Sequence, residues 1–209
     1  MSKTVITLPS LGLTDANADR ILMWDDSAGA IAQLTASTNL TISGTNITGT
    51  TQGITKAKIW HLDTSLTGGG FITANWDGTV PSNTIGDGII GGGTPVSESS
   101  GVFSFGETGY WLIMFNASFV DGGAAEVDCL AEIHGTKDNS TYNYITRVNN
   151  SMHASSAGGN AMATVILDIT DTGNQKVKFA AAGLESNNVL YGNGTYMHTY
   201  AIFIKLADT

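Results

Sequence analysis

The stretch Tyr110-Trp111-Leu112-Ile113-Met114-Phe115 carries apolar or aromatic side chains at odd and even positions alike. Neighbouring residues of a β-strand point to opposite faces, so this segment is oily above and below and requires cover on both sides. The run Tyr200-Ala201-Ile202-Phe203-Ile204 repeats the pattern near the C-terminus. One face of each run fills the interior of a layered fold, where burying a large side chain contributes about 1.5–3 kcal/mol. The other face must meet something else, and a second copy of the chain is the simplest partner. Tyr110, Met114, Tyr200 and Ile202 are the residues expected to line that contact.

Outward from these runs, the alternation weakens to one face. In Lys176 to Ala181, Val177, Phe179 and Ala181 alternate with Lys176 and Lys178, the pattern of a strand with one wet side. Further strands are predicted at 57–62, 70–76, 102–105, 110–120, 126–134, 142–148, 161–169 and 195–206. Between them stand turn clusters such as Asp77-Gly78, Asp121-Gly122-Gly123, Lys137-Asp138-Asn139-Ser140, Asp171-Thr172-Gly173-Asn174 and Asn193-Gly194. Helical periodicity is nearly absent. This spacing predicts an all-β, antiparallel two-sheet jelly roll over residues 56–209.

Residues 1–55 have a different texture. Two short hairpins are predicted, 21–24 with 30–35 and 40–43 with 46–48, turning at Asp25-Asp26-Ser27-Ala28-Gly29 and at Gly44-Thr45. A lone hairpin is marginal in water, so this segment needs copies of itself or a docking surface on another protein. Thr4-Val5-Ile6-Thr7-Leu8 is suited to adding a strand to a partner's sheet edge. Val5, Ile6, Leu8, Ile21, Leu22 and Trp24 are the expected attachment residues.

Composition narrows the partners. Of 209 residues only 13% are charged, and 9 Lys+Arg against 18 Asp+Glu give a net charge of −9. No basic cluster offsets that sign, which argues against nucleic acid and anionic membranes. No signal-peptide core opens the chain and no apolar run reaches membrane-spanning length, so synthesis in the cytoplasm is expected. The Asn-x-Ser/Thr triplets at Asn39, Asn46, Asn116, Asn139, Asn149 and Asn193 then read as products of an Asn- and Thr-rich composition. Cys129, the one cysteine, alternates with Val127, Ala131 and Ile133 and reads as a small buried apolar side chain.

Chemical motifs are mostly decoys. Gly86-Asp87-Gly88-Ile89-Ile90-Gly91 matches a dinucleotide fingerprint in spelling, but Gly92-Gly93-Thr94-Pro95 cannot open the helix that would hold a pyrophosphate. His61, His134, His153 and His198 share no metal-ligand spacing, and no G-x-S-x-G elbow occurs. Glu126, Asp128 and Glu132 share a strand face and offer the carboxylate pair that glycoside cleavage needs, but a solvated strand face is by far the stronger reading of them. Asp77, Asp87 and Asp121 precede glycines, first of all a turn signal and only secondarily a calcium-loop signal. No catalytic residue, cofactor or metal is expected, and the chain reads as a non-enzyme.

Two stretches resemble known families. Ala18-Asp19-Arg20-Ile21-Leu22-Met23-Trp24-Asp25-Asp26-Ser27-Ala28-Gly29-Ala30, running on to Leu34-Thr35, is similar to a module of tail-fibre and other virion proteins of bacteriophages. Gly101-x-Phe103-x-Phe105, followed by Gly109-Tyr110-Trp111-Leu112-x-Met114-Phe115, resembles the central signature of the jelly-roll heads of the tumour necrosis factor and complement first-component families. That resemblance implies a compact homotrimer, with the last strand returning beside the central one; the chain lacks the collagen stem, so animal extracellular roles are not implied. Together the two imply a virion protein whose N-terminus fastens to a tail or capsid protein and whose trimeric head adsorbs to a host-surface glycan or protein. Trp76, Asn83, Tyr142, His153 and Tyr191, in loops rich in Asn, Ser and rings, are the expected receptor contacts. The short N-terminal part equally suits a capsid decoration protein.

Overall fold

The computed structural model describes residues 21–25, 30–34, 40–43, 46–49, 53–82, 85–122, 126–152, 158–185 and 187–209, the side chains of 21–49, 126 and 127 excepted. Val5, Ile6 and Leu8 lie outside the described residues, and Ile21, Leu22 and Trp24 are described in backbone only. The chain divides into two units, Met1–Gly53 and Ile54–Thr209.

In the first unit β1 (Ile21–Asp25) pairs antiparallel with β2 (Ala30–Leu34), and β3 (Leu40–Ser43) with β4 (Asn46–Gly49). Both hairpins stand where the turn residues predict them.

The second unit is built from β5 (Ala57–Leu62), β6 (Thr64–Thr67), β7 (Gly70–Phe71), β8 (Trp76–Asp77), β9 (Ile89–Ile90), β10 (Val96–Ser99), β11 (Val102–Phe105), β12 (Gly109–Val120), β13 (Glu126–Thr136), β14 (Asn143–Met152), β15 (Gly158–Ile169), β16 (Lys176–Ala182), β17 (Val189–Asn193) and β18 (Tyr200–Ala207). Two antiparallel sheets form. The six-stranded sheet runs β10-β11-β16-β13-β14 with β7 beside β16, and the eight-stranded sheet runs β6-β17-β12-β18-β5-β8 with β15 beside β12 and β9 beside β5. The described residues contain no helix.

The period-2 pattern decides what lies between the sheets. From β12, Trp111, Ile113, Phe115, Ala117 and Phe119 are fully buried, and from the facing sheet Phe103, Cys129, Ala131, Ile133, Val177 and Phe179 meet them. Rings dominate this layer. Phe179 stacks on Phe115 at 4.7 Å and stands edge-on to Phe103 at 4.9 Å, the offset and T-shaped arrangements that ring quadrupoles favour.

Gly109 and Gly101 show why the central signature needs glycine. Gly109 has φ 141°, and a Cβ there would lie 2.6 Å from the Ala207 carbonyl oxygen, where the β12–β18 register shifts between Tyr110 and Trp111. Gly101 has φ 79°, with a Cβ meeting the Ile72 carbonyl oxygen at 2.2 Å.

Several expectations are corrected. The single strand predicted over 70–76 is two short ones, because the chain there crosses from one sheet to the other: β7 pairs with β16 and β8 with β5. Asn75, at φ 63°, makes the bend. Trp76 consequently drops into the core, 9% exposed and 5.1 Å from the Phe103 ring, with its indole N–H donating to the Ile72 carbonyl at 3.2 Å. Its ring is therefore unavailable as a receptor contact. The strand predicted over 195–206 begins at Tyr200, and residues 189–193 form the separate β17. The glycine-rich 86–91 segment is a turn leading into β9, with the Asp87 carboxylate accepting the Ile89 N–H at 3.1 Å.

Candidate functional site

Two surfaces of the head stand out. The first is the outward face of the eight-stranded sheet. Cross-strand partners share a face, and the register aligns Leu112 with Ile166 and Ile204, Met114 with Ile202, and Ile202 with Ile59. Ile166 is 59% exposed, Met162 and Tyr110 are exposed as well, and Leu112, Met114, Tyr200, Ile202 and Ile204 are half-buried. The four residues expected at a subunit contact thus lie on this one face, with Met114 and Ile202 directly opposed. Leu112, on the same parity as Tyr110 and Met114, joins them, and Ile59, Met162 and Ile166 complete the patch and were legible only through the register.

The second surface is the outward face of the six-stranded sheet, which is not the simple wet face its alternation predicts. Glu132 is 4% exposed there. One of its carboxylate oxygens meets the His134 ring nitrogen Nε2 at 2.6 Å, and the other accepts from Arg147 through Nε at 2.6 Å and Nη2 at 2.5 Å. The reason for its burial is the company it keeps. Glu132 lies opposite both Arg147 and Ala180, and Ala180 in turn lies opposite Phe71, so four strands crowd one point. The Phe71 ring stands 4.7 Å from His134, Arg147 lies over Tyr144 at 4.9 Å, and the Lys178 ammonium sits between Tyr142 at 4.2 Å and Phe71 at 5.5 Å. Burial, reinforced by the nearby Asp138 charge, raises the Tyr142 phenol above its ordinary pKa. Tyr144 remains 62% exposed and Phe71 is also exposed, so ring faces are presented to solvent from a network of charges that holds them in place.

Of the residues expected at a receptor contact, Tyr142 belongs to this cluster. Tyr191 does not: it lies on β17 in the other sheet, with its ring edge-on to His198 at 4.3 Å. Asn83 and His153 fall outside the described residues. Phe71, Glu132, His134, Tyr144, Arg147 and Lys178 were missed. Two-residue spacing in Glu132/His134 and Tyr142/Tyr144 was the available signal. Asp128 is exposed and accepts from the Asn149 amide, and Glu132 is held by His134 and Arg147, so these two carboxylates are not left as a free pair.

Beside this cluster a cavity of about 370 Å³ opens, walled by Ile145, Leu167 and Ile169 and rimmed by Asp138 and Lys176. The rim is ordered by Asp138, whose Oδ1 accepts the N–H groups of Thr141 and Ser140, each at 2.9 Å, and the Thr136 hydroxyl at 2.8 Å. These bonds hold the Asp138 carboxyl well below the usual carboxylate range.

Known structures share this architecture. Murine APRIL at pH 5.0 superposes with a TM-score of 0.50 at 13% identity, over 72% of this chain and 100% of its own. Eiger TNF from S. frugiperda gives 0.54 at 13% identity, over 73% of this chain and 93% of its own. The head has the tumour necrosis factor jelly-roll fold. A fainter likeness, TM-score 0.42 at 15% identity, covers 74% of this chain and 99% of the PRD1 vertex protein. No family model and no curated protein matches the sequence.

Proposed function

We propose that this chain is a homotrimeric, non-enzymatic structural protein of a bacteriophage particle, whose tumour-necrosis-factor-like head contacts a host-surface receptor and whose N-terminal residues fasten it to the virion. The observation that carries the reading is the outward apolar face built by Leu112, Met114, Ile166 and Ile202, which a cyclic assembly of three heads covers without any other partner. Similarity of residues 18–35 to a virion module supports the particle role. The receptor contact falls on Tyr142, Tyr144 and Phe71, rings that can stack on sugar faces or pack on protein. Several copies on one particle would multiply a weak contact into firm adsorption.

The same trimer serves equally as a capsid decoration, and location separates the two readings. Gold-labelled antibody against the head should mark tails in electron micrographs, and the purified protein should bind host cells and compete with phage adsorption. Label confined to capsids, with no competition, replaces adsorption by decoration. Absence of label from purified particles overturns both.

A further inference from the structure

The alternation of β5 places His61 and, just past its end, Asp63 on one side of the chain, while antiparallel pairing sets His61 directly opposite Asp77 of β8. Cross-strand partners approach within about 4.5–5.5 Å at Cβ. One ligand atom from each of His61, Asp63 and Asp77 accordingly lies within 4.8 Å of the other two.

His61 makes this more than a cluster of acids. It is 2% exposed, and neither ring nitrogen has a hydrogen-bond partner among the described residues. Buried polar side chains nearly always have one, so an imidazole wrapped in protein with both nitrogens idle and two carboxylates beside it is short of a cation. The carboxylates have spare oxygens. Asp77 uses Oδ1 to accept the Thr79 N–H at 2.7 Å and the Thr79 hydroxyl at 2.8 Å, which aims the side chain and leaves Oδ2 open. Among the described residues Asp63 takes a long contact from the Thr64 hydroxyl, at 3.5 Å, and no shorter one. Lys58 alternates onto the other face of β5, where its ammonium donates to the Gly78 carbonyl and lies over Trp60; its charge reaches Asp77 through space, but it is not hydrogen-bonded to either carboxylate.

We propose that His61, Asp63 and Asp77 bind a divalent transition-metal ion of the zinc class. Two carboxylates balance the ion's charge, and an imidazole donor favours zinc-like ions over calcium or magnesium, which take oxygen alone. Zinc bonds to nitrogen and carboxylate oxygen run about 2.0–2.2 Å, so modest side-chain rotation closes the set, and water fills the fourth position. The consequence is structural. β8 is two residues long and holds the rim of the eight-stranded sheet, and an ion shared by β5 and β8 ties that rim down.

The test uses the full chain, free of any affinity tag and stripped with chelator. Titration calorimetry with ZnCl2 should show one site per chain at micromolar zinc or tighter, and saturating zinc should raise the thermal midpoint. Asp63→Asn, at an exposed position, keeps the fold and should weaken zinc binding by at least about tenfold. Asp77→Asn should do the same, whereas His198→Ala should leave binding unchanged. Cobalt substituted for zinc should give visible bands that Asp63→Asn removes. No binding at millimolar zinc, or equal binding in wild type, Asp63→Asn and Asp77→Asn, overturns the site.

Discussion

Removing the Glu132 carboxylate would leave the His134 ring and the Arg147 guanidinium facing each other without their shared acceptor. Hydrogen bonds to a charged group contribute about 1.5–3 kcal/mol, and Arg147, half in solvent, can turn to water, so Glu132→Ala should destabilise the head by about that range. Urea unfolding measures it, and a loss within error of zero would show that the cluster is not held by its charges. Trp76 belongs to a different class. Truncating a large aromatic in a packed core costs about 3–5 kcal/mol, so Trp76→Ala should exceed Glu132→Ala in the same titration. Asp138 acts through pH. Its folded pKa is depressed, first by the Thr141 and Ser140 N–H groups and then by the Thr136 hydroxyl, so its stabilisation is complete above the unfolded value near 3.9 and is lost as pH falls through the folded value. Asp138→Ala should therefore flatten the fall in stability below about pH 4. A carboxyl NMR titration placing Asp138 at an ordinary value would contradict this.

At the scale of strands, the entry to β12 is the most constrained point. Gly109 sits at φ 141° against the Ala207 carbonyl and the Lys205 side chain, so Gly109→Ala must move either the backbone or β18. A strained position of this kind costs about 1–3 kcal/mol. Urea midpoints should fall accordingly, with amide protection lost first at the paired ends of β12 and β18; unchanged protection there would show that the bulge absorbs a side chain. The strands with long apolar alternation were legible beforehand, β5 and β11 at both ends and β12, β13 and β16 to within two residues at their ends, because burial of one parity fixes their phase. β6, β9, β10 and β17 were not. They are two to five residues long and carry Thr, Ser, Glu, Gly or too few residues to alternate, and they exist because a neighbouring edge offers a ladder. The 72–76 crossing failed for another reason: Ile72 and Trp76 are both apolar, and alternation does not distinguish a strand from a loop whose large residues plug a rim. The same limit hid the outer cluster. Glu132, Phe71 and Lys178 come from three strands whose adjacency is a matter of topology, while Tyr142 alone announced itself as a ring in a turn-rich segment.

At the scale of the whole head, residues 54–209, two unlike faces are presented, and they predict opposite behaviour on mutation. The six-stranded sheet turns outward a network whose charges already have partners, whereas the eight-stranded sheet turns outward aliphatic side chains with water over them in a single chain. A ring of three subunits uses a head-to-tail contact, so one substitution recurs in all three interfaces and its cost is multiplied. Charge placed at a central position of an apolar contact costs about 2–4 kcal/mol per interface, or roughly 30- to 1,000-fold in affinity. Ile166→Lys or Leu112→Lys should therefore yield monomers at micromolar concentration, while Tyr144→Ala, on the opposite sheet, should leave the assembly intact and weaken host-cell binding. Sedimentation equilibrium of the three variants beside the wild type separates the roles of the faces. Wild type sedimenting at the monomer mass under these conditions would mean that the oily face is covered by some other partner, and the trimer would have to be abandoned.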